Sequence, residues 1–268
     1  QVSLKRMIHC GSLCVLLSTF LLSYHLLKTS SSGSSNVINM NSLSFDWLKK
    51  RATGVLLHPT ALPGDFGVGT LGQDLDPLLD FMQEGGLSYW QMCPLNPTGS
   101  GDSPYASFSA FAGNPYLIDT EQLVQAGLLE SDEQDPLREL SRDKVDYESL
   151  FKIKYPILRK ACDRFYESQA KGVDGYPEYA AFEKENEYWL DSYACYMALK
   201  YHFNGKPWNQ WQTKYRSYDE AAKTGIFDQL SDEIRAWKFY QYVFFSQWEA
   251  ARKRLHERGL EAIGDIPI

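Results

Sequence analysis

The chain is poor in the residues that bind metals or staple a fold covalently. Its 268 residues include only five histidines and five cysteines. The cysteines, Cys10, Cys14, Cys93, Cys162 and Cys195, are odd in number and irregularly spaced, and no C-x-x-C pair occurs. Neither a disulfide framework nor a zinc site is indicated, and we read the thiols as reduced, in a cytoplasmic protein. Positive charge is also scarce: 27 Lys and Arg stand against 34 Asp and Glu, for a net charge of −7. A nucleic-acid partner requires a basic face, so none is expected.

Apolar residues are plentiful at 44%, enough for a sizeable core. Aromatics reach 14%, with 17 Tyr and 7 Trp. Such rings suit a carbohydrate partner, but they also fill cores.

Residues 1–39 differ in character from the rest of the chain. Lys5 and Arg6 precede an uncharged run from Cys10 to Leu27, which Lys28 closes. This resembles a signal or anchor segment, although no small-x-small cleavage site comes after it. Met40 opens M-N-S-L-S-F-D-W-L-K-K and reads as a natural start. We expect residues 1–39 to be upstream, non-domain sequence, with export or anchoring through residues 5–28 as the alternative. In either case Ser30–Ser35 has the composition expected of a flexible linker.

Gly54-Val55-Leu56-Leu57-His58 reads as a buried strand ended by Pro59. Leu75, Leu78, Leu79 and Met82 recur at helical spacing up to Gly85-Gly86. Ser88–Cys93 is a second strand candidate, stopped by Pro94. Strand, helix, strand with short connections is a βαβ unit and implies a parallel sheet. Gly67-Val68-Gly69-Thr70-Leu71-Gly72 has G-x-G-x-x-G spacing. A loop separates it from the strand, so a dinucleotide site is not expected.

After the second strand comes G-S-G-D-S-P-Y-A-S-F-S-A-F-A-G-N-P-Y-L-I, from Gly99 to Ile118. Gly and Pro shape and stiffen this loop. Asp102, Ser103, Ser107, Ser109 and Asn114 are short polar groups, and Tyr105, Phe108, Phe111 and Tyr116 are flat apolar ones. Such a loop suits a sugar, whose C–H face stacks on a ring while its hydroxyls exchange hydrogen bonds. The same composition fits a surface loop whose aromatics close over a core. Ligands bind β/α barrels at the C-terminal ends of the strands, where this loop begins.

From about Thr120 to Arg258 the apolar residues take helical spacing. Helices are expected at 147–169, 177–203 and 228–258, with their rings in a helical core and Glu183, Lys184, Lys238 and Arg252 on solvated faces. Leu260–Ile268 begins a further buried strand after Gly259.

Ser103-Pro104-Tyr105 followed by Ser109–Pro115 resembles the signature of the 4-α-glucanotransferases (amylomaltase, or disproportionating enzyme) of glycoside hydrolase family 77. H-P-T-A-L-P-G at His58–Gly64 is similar to that family's H-P-T-S-L-P-G, with Ala61 in place of Ser. F-E-K-E-N-E-Y-W-L-D-S-Y-A and F-Y-Q-Y-V-F-F-S-Q-W also match. The resemblance covers about Leu48 to Ile268. It implies an α/β fold, the N-terminal part of a TIM (β/α)8 barrel with a large helical insertion between strands 2 and 3. The implied division is 40–119 for the first βαβ unit, 120–258 for the insertion and 259–268 for a truncated third strand.

The implied activity is transfer of α-1,4-glucan segments between maltooligosaccharides, without cofactor or metal. A related α-glucan hydrolase or debranching enzyme, or a non-catalytic glucan-binding protein, is the alternative. Retaining chemistry needs two carboxyl groups about 5 Å apart. By the resemblance these fall beyond Ile268, so no catalytic residue is assigned. The implied substrate contacts are Ser103 and Tyr105 of S-P-Y, Asp265 of G-D-I-P and, in a secondary glucan site, Tyr147 of V-D-Y. Ser100 stands where several members carry an aromatic. Asp65, Asp74 and Asp102 are read as turn and capping residues.

Overall fold

In the computed structural model, which describes residues 51–99, 101–170 and 178–267, three short parallel strands form one sheet. They are β1 (Gly54–Leu56), β2 (Tyr89–Gln91) and β3 (Glu261–Ile263), in the order β1-β2-β3. The expected segment 1–39 lies outside the described residues. Trp90 faces Val55 on one side and Ala262 on the other, and is fully buried. Its indole N–H donates to the Leu57 carbonyl at 2.8 Å. The ladder extends past the strand ends through Leu57 N–H to Gln91 O and Met92 N–H to Ile263 O. The strands are shorter than expected. The outer two are also not buried, and Leu56 is 63% exposed. The reason is position: β1 and β3 are the sheet's edges, and only β2 has a neighbour on both sides.

Helix α1 (Asp76–Glu84) joins β1 to β2, buries Leu79 and Met82 and stops at Gly85, as its spacing predicts. Between β2 and β3 lie α2 (Thr120–Gln125), α3 (Tyr147–Ala170), α4 (Tyr179–His202) and α5 (Ser231–Glu257), with single helical turns between them. The three long helices fall close to the expected spans. Their rings form a core in which Phe165 meets Phe239 at 5.0 Å and Trp189 meets Phe245 at 6.1 Å. Lys238 departs from expectation. Its ammonium is largely covered and bridges Glu183 at 3.0 Å and Asp191 at 2.6 Å, tying α5 to α4.

Helix α5 also holds the loop that precedes α2. Gln241, fully buried, accepts from Gly113 N–H at 2.7 Å and donates to Gly113 C=O at 3.0 Å. Gln247 treats Asp119 the same way, at 2.8 and 3.0 Å. A β-carbon at Gly113 would lie 1.9 Å from the Phe244 ring, so only glycine lets the loop approach this closely. At the far end of α5, Arg254 donates to Asp76 at 2.7 Å and to the Leu71 and Gly72 carbonyls, fixing the helix to α1.

Lys154 of α3 is buried, and its ammonium donates to the Tyr116 carbonyl at 2.7 Å. Burial pulls its pKa down to about 7, against partial support from Asp119 and Asp74. The unfolded chain, with a lysine pKa of about 10.4, therefore holds more protons than the native state between these values. Stability rises with pH across that window. We expect the urea midpoint to rise between pH 7 and 9 more steeply in the parent than in Lys154→Met; parallel slopes would refute this. Truncating Gln241 to Ala strands a buried N–H and a buried carbonyl, each costing about 1–3 kcal/mol. Urea unfolding of Gln241→Ala should show a loss of about 2–5 kcal/mol, and a loss of less than about 1 kcal/mol would deny the clasp its role.

Candidate functional site

The loop leaving β2 folds back on itself. Gly99 N–H donates to Ala106 O at 2.6 Å, Phe108 N–H to Pro97 O at 3.3 Å, and Thr98 bridges Ser107 in antiparallel fashion. The Ser107 hydroxyl adds a bond to Pro97 O at 2.9 Å. The tip of this small hairpin carries Ser103 and Tyr105. Ser103 is half-buried and accepts from Tyr105 N–H at 3.3 Å, which fixes the backbone beneath the ring.

Tyr105 and Asp265 meet. The phenol donates to Asp265 Oδ2 at 2.8 Å, joining residues 160 apart in sequence. Asp265 Oδ1 accepts from Ile266 N–H at 2.8 Å. Each carboxylate oxygen keeps a free lone pair for a ligand hydroxyl. The bond to Asp265 pushes the Tyr105 pKa up to about 12, and the Cys93 thiol adds to the rise. Tyr105 therefore stays a neutral donor throughout the physiological range. Tyr105 is 45% exposed.

Asp265 and Cys93 each lie two residues beyond a strand, β3 and β2, so the pair sits at the C-terminal edge of the sheet. A cavity of about 190 Å³ opens there, and its walls include Cys93, Asn96, Phe111, Trp248, Arg252 and Asp265. His58, just beyond β1, braces the same edge. Its Nε2 donates to Pro94 O at 3.3 Å, so Nδ1 accepts from the Thr60 hydroxyl at 2.8 Å. Burial lowers its pKa, which favours the neutral ring, against an opposing pull from the bond to Pro94.

Of the four residues expected to touch substrate, three lie together: Ser103, Tyr105 and Asp265. Tyr147 opens α3, and its ring meets Tyr116 at 5.7 Å. Of the four loop aromatics, only Tyr105 and Phe111 are exposed; Tyr116 joins the core and Phe108 is half-buried beneath the Lys200 ammonium at 4.8 Å. Asp74 accepts locally from the Thr70 hydroxyl at 3.0 Å, whereas exposed Asp65 pairs at 3.1 Å with the sequence-distant Arg142. Asp102 sits in the hairpin tip with a positive φ of 54°. Gly72 caps the 3-10 turn Gln73–Leu75 that leads into α1. A β-carbon at Gly72 would lie 1.8 Å from the Asp119 carboxylate, so packing explains that glycine.

Cys93 carries no motif, and nothing in the sequence singles it out. Arg252 reads as solvated from its helical position, whereas its side chain is half-buried on the cavity wall. Only the pairing of α5 with the loop after β2, a long-range fact, reveals it.

A family model described as 4-alpha-glucanotransferase, glycoside hydrolase 77, matches residues 57–268. The 4-alpha-glucanotransferase of Thermus thermophilus is 43% identical over 218 residues, 81% of this chain and 42% of that protein. The one from Clostridium butyricum is 39% identical over 215 residues, 79% of this chain and 42% of its own length. Among solved structures, an amylomaltase from Streptococcus agalactiae in complex with acarbose superposes with a TM-score of 0.74 at 37% identity, covering 81% of this chain and 43% of that one. The chain thus spans 42% of the length of both curated relatives. The match runs from just after β1 through the hairpin and every long helix to residue 268, past Asp265, and the chain belongs to the 4-alpha-glucanotransferase family, glycoside hydrolase family 77.

Proposed function

We propose that this chain forms the donor-binding part of a 4-α-glucanotransferase, which moves α-1,4-glucan segments between maltooligosaccharides by a retaining double displacement. The observation that carries this is the hydrogen bond from Tyr105 to Asp265 at the C-terminal edge of the sheet. In this reading the Tyr105 ring stacks on the C–H face of the glucose beside the scissile bond. Asp265 accepts from that sugar's hydroxyls, and Ser103 bonds alongside. Tyr147 serves a separate glucan contact.

Three adjacent parallel strands, with the long helices between the second and third, support the first part of a (β/α)8 barrel divided at 40–119, 120–258 and 259–268. Ligands bind at that end of such barrels. The nucleophile and acid/base carboxyls would stand on strands beyond β3, about 5 Å apart. A sugar hydroxyl instead of water would then resolve the glycosyl intermediate. The cytoplasm is the proposed site of action. Cys93, Cys162 and Cys195 are unpaired, which supports a reducing compartment. Among the described residues no helix is long and apolar enough to cross a membrane.

Tyr105→Ala should weaken maltotriose binding about tenfold or more by calorimetry, while the urea midpoint barely moves because the ring is exposed. Equal losses in both would make Tyr105 merely structural. In an enzyme that also carries the later strands, maltotriose should be redistributed at a constant number of reducing ends. A steady rise in reducing ends would mean hydrolysis.

A further inference from the structure

Among the described residues Phe111 and Tyr188 are two of the more exposed rings, at 54% and 62%, and they touch each other. Their centroids lie 5.7 Å apart in an edge-on pair. Phe111 also lies near-parallel over Trp189 at 6.2 Å, and Trp189 is buried. An exposed ring alone needs no explanation. This one is rigidly mounted. The Ser109 hydroxyl accepts from the N–H groups of Phe111 and Ala112, at 3.1 and 3.2 Å. Asn96 donates to Ala112 O at 2.9 Å, and the Gln241 clasp grips Gly113 next in line. Phe111 also forms part of the cavity wall that ends at Asp265.

We infer that Phe111 and Tyr188 form a stacking shelf for further glucose units of the α-glucan whose reacting unit lies on Tyr105. This rests on the donor-site function proposed for Tyr105 and Asp265, and adds to it a device that favours long chains over short ones. The ligand class follows from the chemistry. A neutral, hydrophobic shelf of two rings set edge to face continues a cavity whose polar groups are an amide, a guanidinium and a carboxylate. Such a surface fits a chain of rings with alternating C–H faces and hydroxyl edges. Holding the rings in place beforehand spares the ordering cost of binding.

The test is calorimetry with maltotriose and maltoheptaose on the parent chain, Phe111→Ala and Tyr188→Ala. The parent should bind the longer sugar more tightly. Each variant should lose about tenfold for maltoheptaose, in line with one stacked sugar face uncovered, and about twofold or less for maltotriose. Maltoheptaose should also shift Trp189 fluorescence in the parent more than in Phe111→Ala. Tyr188 is on the surface, so Tyr188→Ala keeps the test decisive if Phe111→Ala folds poorly. Equal affinity of the parent for both sugars, or Tyr188→Ala binding both as the parent does, overturns the shelf and leaves the donor site standing. Failure of the parent to bind either sugar overturns both.

Discussion

Two glutamine amides hold the site together. Gln241 and Gln247 lie six residues apart on α5, and the peptides they clasp, at Gly113 and Asp119, are six residues apart on the loop. Six residues of helix advance about 9 Å, whereas six extended residues would span about 20 Å. The 3-10 turn Pro115–Leu117, capped by Asn114 accepting from Tyr116 N–H at 3.0 Å, condenses the loop to the pace of the helix. Each clasp satisfies a buried donor and a buried acceptor that would otherwise be stranded. The loop therefore behaves as part of the helical layer.

That rigidity places the hairpin. One end of the Gly99–Ile118 segment leaves β2 and the other is clamped to α5, which runs on into β3 and Asp265. The tip can therefore deliver Tyr105 to a carboxylate 160 residues away. The bond to Asp265 keeps the Tyr105 phenol neutral, and burial favours the neutral form of His58. The site is a fixed pattern of donors, acceptors and faces, suited to a neutral ligand.

Much of this is legible in the chain. The βαβ unit follows from strand runs ended by prolines and a helix ended by glycines. The long helices follow from the spacing of their rings. The Ser-Pro-Tyr motif and the Asp after β3 are separate signals in the sequence, and the structure unites them. What stays hidden is whatever depends on distant pairing. Gln241 and Gln247 sit among aromatics, and no local pattern says that their amides face backbone. The burial expected for β1 and β3 fails because a strand's neighbours cannot be read from its own residues. Lys238 and Arg252 read as solvated because charge usually is, yet contacts with α4 and the cavity wall take them inward.

In the proposed function the clamped hairpin presents Tyr105 and Asp265 to one glucose unit. The most direct measurement is a crystal structure with maltotetraose bound. The account predicts a glucose ring flat against Tyr105, with a hydroxyl donating to Asp265 and the Gln241 and Gln247 clasps unchanged. A sugar seated elsewhere, with Tyr105 and Asp265 touching only each other and solvent, would contradict it.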